Sequence, residues 1–190
     1  MRRSAAVIVM LCFASLCVGQ SASWEREEKT DPLRGTAYSQ FTLTGKFLTP
    51  PTQATTEAPV LIVKCLRGDH RKIHGGFING KFLDAYVIAG AVLDRTSRDH
   101  VAVQYRLDDG KMHTEFWGAG TDDSAAFAPD VELNTILYGH FMKHKEGTNP
   151  PVHKVVMGMH ENVGTEIVIQ FDMPDPDQVA DACGLLIRKK

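Results

Sequence analysis

YRLDDGKMHTEFWGAGTD, residues 105 to 122, decides how the rest of the chain is read. An acidic pair, a glycine and a lysine separate two segments that alternate apolar and polar side chains, VAVQYRL (residues 101 to 107) and MHTEFW (residues 112 to 117). A period of two marks a half-buried strand, and Asp-Gly is a preferred centre for the two-residue turn of an antiparallel hairpin. With Asp109 and Gly110 as the loop, Asp108 pairs with Lys111, Leu107 with Met112, Arg106 with His113, Tyr105 with Thr114, Gln104 with Glu115 and Val103 with Phe116. One face then carries Val101, Val103, Tyr105, Leu107, Met112, Thr114 and Phe116, and is expected to meet the core. The other carries Gln104, Arg106, Asp108, Lys111, His113, Glu115 and Trp117, and is expected to meet water or a ligand.

The same reading extends outward. YSQFTLTGKF (residues 38 to 47) sets Phe41, Leu43 and Phe47 among threonines, with Gly45 as a candidate bulge in a half-buried strand. VLIVKCL (residues 60 to 66) is a short β-branched run expected to form a buried strand. Between them TPPTQATTEAP, residues 49 to 59, holds three prolines and no large apolar side chain, and reads as an exposed irregular loop. KIHGGFINGKFLDAYVIAGAVL (residues 72 to 93) suggests two or three short strands, punctuated by Gly75-Gly76 and Asn79-Gly80, before a charged turn over residues 94 to 99.

Beyond the hairpin, GAGTDDSAAFAP (residues 118 to 129) reads as a loop, and residues 131 to 145 have partial helical spacing that leaves their type open. VHKVVMGMH (residues 152 to 160) and GTEIVIQFDM (residues 164 to 173) are strands, and PDPDQVADA (residues 174 to 182) is a brief helix that carries Cys183 towards Cys65. At the other end, Trp24 to Asp31 is polar apart from Trp24. The expected fold is mainly β, an antiparallel β-sandwich with a short C-terminal helix, formed as a single β-rich domain over residues 23 to 190 with an irregular loop at 49 to 59.

The first residues set the compartment. Met1-Arg2-Arg3 precedes the apolar run AAVIVMLCFASLCVG (residues 5 to 19), with Gly19, Ser21 and Ala22 as small residues for cleavage, so residues 1 to 22 read as a signal peptide. The run is too short to favour a membrane span. Leu11 and Leu16 stand directly before Cys12 and Cys17, where a lipid-anchoring cysteine would need a small residue. Cleavage takes Arg2 and Arg3 away, so the 21 Lys and Arg fall to 19 against 23 Asp and Glu, a formal charge of −4 that does not suggest a nucleic-acid surface. Cys65 and Cys183 remain as the cysteines of the mature chain, and an oxidising compartment predicts their disulfide.

Eight histidines, at positions 70, 74, 100, 113, 140, 144, 153 and 160, raise the question of metal chemistry. His70 with His74, and His140 with His144, have the spacing that puts two rings on one helical face. No glutamate completes a zincin pattern after His140, and no Cys or Asp cluster adds ligands. Nor is there a Gly-x-Ser-x-Gly elbow, and GGFING (residues 75 to 80) lacks the strand-to-helix setting of a phosphate loop. Arg67-Gly68-Asp69 has the composition of a turn after a strand. No catalytic residue, metal ligand or cofactor is therefore assigned; a small metal-dependent or other hydrolase using the histidines is the rival class. The candidate binding residues are Arg106, His113, Glu115 and Trp117, which the expected register places on one polar face with charge, hydrogen-bonding groups and a flat aromatic. A structural alternative has Trp117 packing under the following loop and Arg106 pairing with Glu115.

These residues also carry a family resemblance. Trp24, LIVKC ending at Cys65, VQYRLDDGK (residues 103 to 111) with Trp117, GTDDSAAFAP (residues 120 to 129), IVIQFDM (residues 167 to 173) and DACG (residues 181 to 184) run in the order seen in the VasI family, envelope proteins associated with bacterial type VI secretion, over most of residues 24 to 184. The resemblance implies a small secreted β-rich domain with an accessory role and no assigned catalytic residues. The loop at 49 to 59 and YGHFMKHKEGTNPPVHKVVMGMH (residues 138 to 160) depart from the family's more compact pattern, so the alternative is a stand-alone secreted relative that shares only this domain. The expected function is an exported, non-enzymatic binding or assembly module of the bacterial envelope, periplasmic or secreted, partnering another envelope or secretion protein, with no nucleic acid and no membrane span after cleavage.

Overall fold

Gly45 turns one long strand into two, and this is the corner on which the sandwich is built. Before it lies β2 (Ala37–Thr44) and after it β3 (Lys46–Thr49). Thr44 pairs with Val60 on β4 (Val60–Leu66), whereas Phe47 pairs with Ile169 on β10 (Glu166–Asp172), so one stretch of chain supplies the strand next to one end of the order and the strand at the other end. A chain that leaves one set of strand partners for another across a single residue needs a bend, and a residue without a side chain allows it. A Cβ on Gly45 would lie 2.6 Å from the ring of Phe171, itself fully buried, and 3.0 Å from the Gln170 carbonyl oxygen.

The computed structural model describes residues 22–33, 35–52, 57–66, 82–89, 92–96, 99–121, 123–129, 136 and 151–183. The remaining strands are β1 (Glu25–Thr30), β5 (Phe82–Ile88), β6 (His100–Leu107), β7 (Met112–Ala119), β8 (Ala125–Phe127) and β9 (Lys154–His160), and α1 (Asp177–Cys183) follows. Every pairing is antiparallel, in the order β1-β2-β4-β5-β8-β7-β6-β9-β10-β3. The fold is an antiparallel β-sandwich with a short C-terminal helix, as the alternation predicts. Phe41 and Leu43 of β2 share one core with Val63 of β4, Val103 and Tyr105 of β6, Met157 of β9 and Ile169 and Phe171 of β10.

Two strands escape the alternation rule. β1 is charged and exposed along its whole length, and its backbone pairs with β2 from Glu25 opposite Thr42 to Thr30 opposite Ala37. Arg26 bonds Glu28, Lys29 bonds Glu27, and the Arg26 guanidinium lies 5.5 Å from the ring centre of Phe41. Such a charged edge discourages further strand addition. β8 lies inside the expected loop of residues 118 to 129, filling the gap between β5 and β7 with Ala126 opposite Ala119. Arg95 holds the preceding turn through an ion pair with Asp123 and a bond to the Gly120 carbonyl.

The expected exposed loop is anchored at both ends. Pro51 and Pro59 are buried, and the buried carboxylate of Glu161 accepts hydrogen bonds from the Thr52 amide at 2.9 Å and hydroxyl at 2.7 Å; residues 53 to 56 lie outside the described residues. At the C-terminus Asp175 accepts from the Asp177 amide at the start of α1, which lies against β4. Cys183, at the end of α1, forms the expected disulfide with Cys65 across 118 residues. The first 21 residues, which hold all but the last residue of the expected signal peptide at 1 to 22, also lie outside the described residues, as do Arg67-Gly68-Asp69, the glycine-rich stretch at 71 to 81 and the segment at 131 to 145 apart from Ile136. No helix among the described residues is long and apolar enough to cross a membrane.

Candidate binding face

The turn at Asp108-Asp109-Gly110 is built differently from the two-residue loop that its sequence predicts. Gly110 donates its amide to the Leu107 carbonyl at 2.9 Å, and Asp108 takes a left-handed φ of 48°. Aspartate tolerates that conformation better than most residues. The Asp108 amide donates to the Lys154 carbonyl at 2.8 Å, and its Oδ1 accepts from the amides of His153 at 3.0 Å and Lys154 at 2.8 Å. Asp109 lies 3.5 Å from the Lys154 ammonium. The acidic pair therefore fastens the hairpin tip to the start of β9.

This fastening moves the register by one residue. Arg106 pairs with Met112, Tyr105 with His113, Gln104 with Thr114, Val103 with Glu115, Ala102 with Phe116 and Val101 with Trp117. Because side chains alternate with a period of two, a one-residue slip exchanges the faces of the whole strand. The expected faces are corrected accordingly for β7. Trp117 is fully buried beside Val101, whereas Phe116 is 61% and Met112 59% exposed.

The four residues singled out from sequence do not share a face. Arg106 projects outward, opposite Met112; His113, Glu115 and Trp117 lie on the inward side. Towards the open end of that side His113 is exposed and stacks on Tyr105, with ring centres 5.2 Å apart and planes 14° apart. Glu115 is half-buried. The alternative pairing of Arg106 with Glu115 does not form either, because the sheet lies between them. The indole N–H groups of Trp117 and Trp24 are buried without a hydrogen-bond partner among the described residues, each at a cost of about 1–3 kcal/mol that the rings' apolar burial must exceed.

What takes the place of the expected polar face is the outer surface of β7, β6, β9 and β10. Its row nearest the turn holds Met112, Arg106, Val156 and Gln170; the next holds Thr114, Gln104, Gly158 and Val168; the third holds Phe116, Ala102, His160 and Glu166. None of these is buried. Arg106 and Lys111 form no hydrogen bond or ion pair with any of the described residues. At the β10 edge Asp172 bonds Lys46 at 3.1 Å. The hydrogen bond from the Gln170 amide, helped by Lys46 and by the charge of Lys154, holds its carboxyl below the usual carboxylate range despite some burial.

Sequence reading missed Met112 and Phe116 as surface residues because it set them on the core face. A signal was present in the size of Trp117, since the largest apolar ring is an awkward member of a solvent-facing set. No group of three or more His, Cys, Asp or Glu among the described residues could hold a metal ion. His70, His74, His140 and His144 lie outside the described residues.

The fold and this face define an all-antiparallel β-sandwich with a partly apolar outer sheet surface. Compared with protein-family models, with curated proteins and with solved structures, the chain matches none.

Proposed function

We propose that the protein is an exported, non-enzymatic binding or assembly module of the bacterial cell envelope, contacting another protein through the outer face of β7, β6, β9 and β10. The observation that carries the reading is the company kept by Arg106: a guanidinium without a partner among the described residues, directly opposite Met112, on the same face as Phe116, with both apolar side chains more than half exposed. Exposed aromatic, methionine and arginine side chains are the types enriched at protein interfaces. Export is supported by the basic-then-apolar start of the chain, and the Cys65–Cys183 disulfide suits an oxidising compartment. A role accessory to a secretion system rests on the resemblance to the VasI family.

Site-specific photo-crosslinking in the native host tests the binding surface. A photoreactive residue at Phe116 is expected to give a discrete protein adduct that the same residue at Glu27, on β1, does not. Absence of any adduct at position 116 would sink this reading.

A further inference from the structure

We infer that the outer face of β7, β6, β9 and β10 takes a second copy of this chain, forming a weak two-fold dimer, an inference that rests on the reading of that face as a binding surface. The charges point to this occupant. Arg106 stands on β6 in the row nearest the turn, and Glu166 opens β10 two rows away, paired with His160. The Glu166 carboxylate lies across the face, with Oε1 only 2.7 Å from where a Cβ on Gly158 would sit. Neither Arg106 nor Glu166 has a hydrogen-bond or ion-pair partner among the described residues.

A face with an unpaired charge of each sign, set apart along the strands, is complementary to a rotated copy of itself. In a two-fold interface the contact between Arg106 of one copy and Glu166 of the other is made twice, once in each direction. A partner of a single sign would satisfy one of these groups and oppose the other. Phe116 and Met112 supply apolar area at the β7 side, where charge alone would give little affinity.

Size sets the expected strength. Four strands of seven or eight residues, at about 4.8 Å spacing and about 3.4 Å rise, present on the order of 500 Å² per copy. The pair would bury about 1,000 Å², the lower limit for a specific interface, so association belongs in the micromolar range rather than the nanomolar.

Sedimentation velocity of the full mature chain over a concentration series tests the inference. The wild type is expected to pass from monomer to dimer between about 1 and 500 μM. R106E and E166R should each weaken association by about tenfold or more, and the double variant R106E/E166R should return to within about threefold of wild type, because both contacts are restored with reversed sign. Both positions are exposed, and a thermal melt confirms that each variant is folded. A wild type that stays monomeric throughout overturns the inference, as does a double variant no better than the singles. If the wild type is monomeric while position 116 still cross-links to a different protein, the dimer fails and the binding reading stands; if position 116 cross-links to nothing, the binding reading fails as well.

Discussion

Val101 and Trp117 stand directly opposite each other across the β6–β7 ladder, both fully buried, and this pairing sets which face of the hairpin is core. Truncating Trp117 to Ala should cost about 3–5 kcal/mol, the range for a large core ring. Phe116→Ala, one residue away on the outer face, should change stability by no more than about 0.5 kcal/mol. Urea denaturation of the two variants checks the register. Similar losses from both, or a larger loss from Phe116→Ala, would contradict it.

The disulfide between Cys65 and Cys183 closes a loop of 118 residues in sequence and ties α1 to β4. Restricting the unfolded chain over so long a loop contributes about 4–5 kcal/mol in the entropy model. Cys65→Ala with Cys183→Ala should lower the unfolding free energy by about that amount, with a further penalty for the volume removed from two buried sites. Unfolding of the wild type with and without a reductant provides the parallel measurement. A midpoint unmoved by reduction would remove the bridge from any part in stability.

Asp108 combines a left-handed backbone with two hydrogen bonds accepted from the amides of His153 and Lys154. Asp108→Asn keeps an acceptor and a side chain that tolerates this φ, so a loss below about 1 kcal/mol is expected. Asp108→Ala loses the bonds and retains the conformational cost, for about 2–3 kcal/mol. Amide exchange at His153 and Lys154 should quicken in the Ala variant. Equal stability of the Asn and Ala variants would show that the side-chain bonds contribute nothing.

Asp172 gives a pH dependence with a definite sign. Its carboxyl is held below the ordinary range, chiefly by the Gln170 hydrogen bond and then by Lys46, so the folded state favours the ionised form. The resulting stability is present above the unfolded-state pKa and is lost as pH falls through the lowered folded-state value. The Lys46–Asp172 pair is more than half exposed at both ends, which keeps its contribution below about 1 kcal/mol. Asp172→Asn should therefore be slightly less stable than wild type at neutral pH, with the difference closing in acid. A gap that widened as pH fell would reverse the assignment.

Much of the fold was legible in local pattern. Alternation located β2, β6, β7, β9 and β10 because each has one face against the core, whereas β4 was legible as a continuous β-branched run, with Leu61, Ile62 and Val63 all buried. β1 was illegible for the opposite reason: all its side chains are exposed, and its strand conformation comes from backbone pairing with β2. β8 was hidden by its length, since three residues cannot display a period. For the candidate site, Arg106 was placed correctly on the outer face of β6, whereas Trp117 was turned outward and Phe116 inward by a turn one residue too short.

The sequence by itself determined that two alternating segments meet at Asp108-Asp109-Gly110, that the sandwich is antiparallel, and that Cys65 and Cys183 are suited to form its bridge. Only the tertiary structure decided the hairpin register. Asp108 spends its carboxylate on the backbone of His153 and Lys154, 45 and 46 residues away, and no local rule of turn chemistry contains that bond. The one-residue shift that goes with it buries Trp117 and leaves Phe116 and Met112 facing outward beside Arg106.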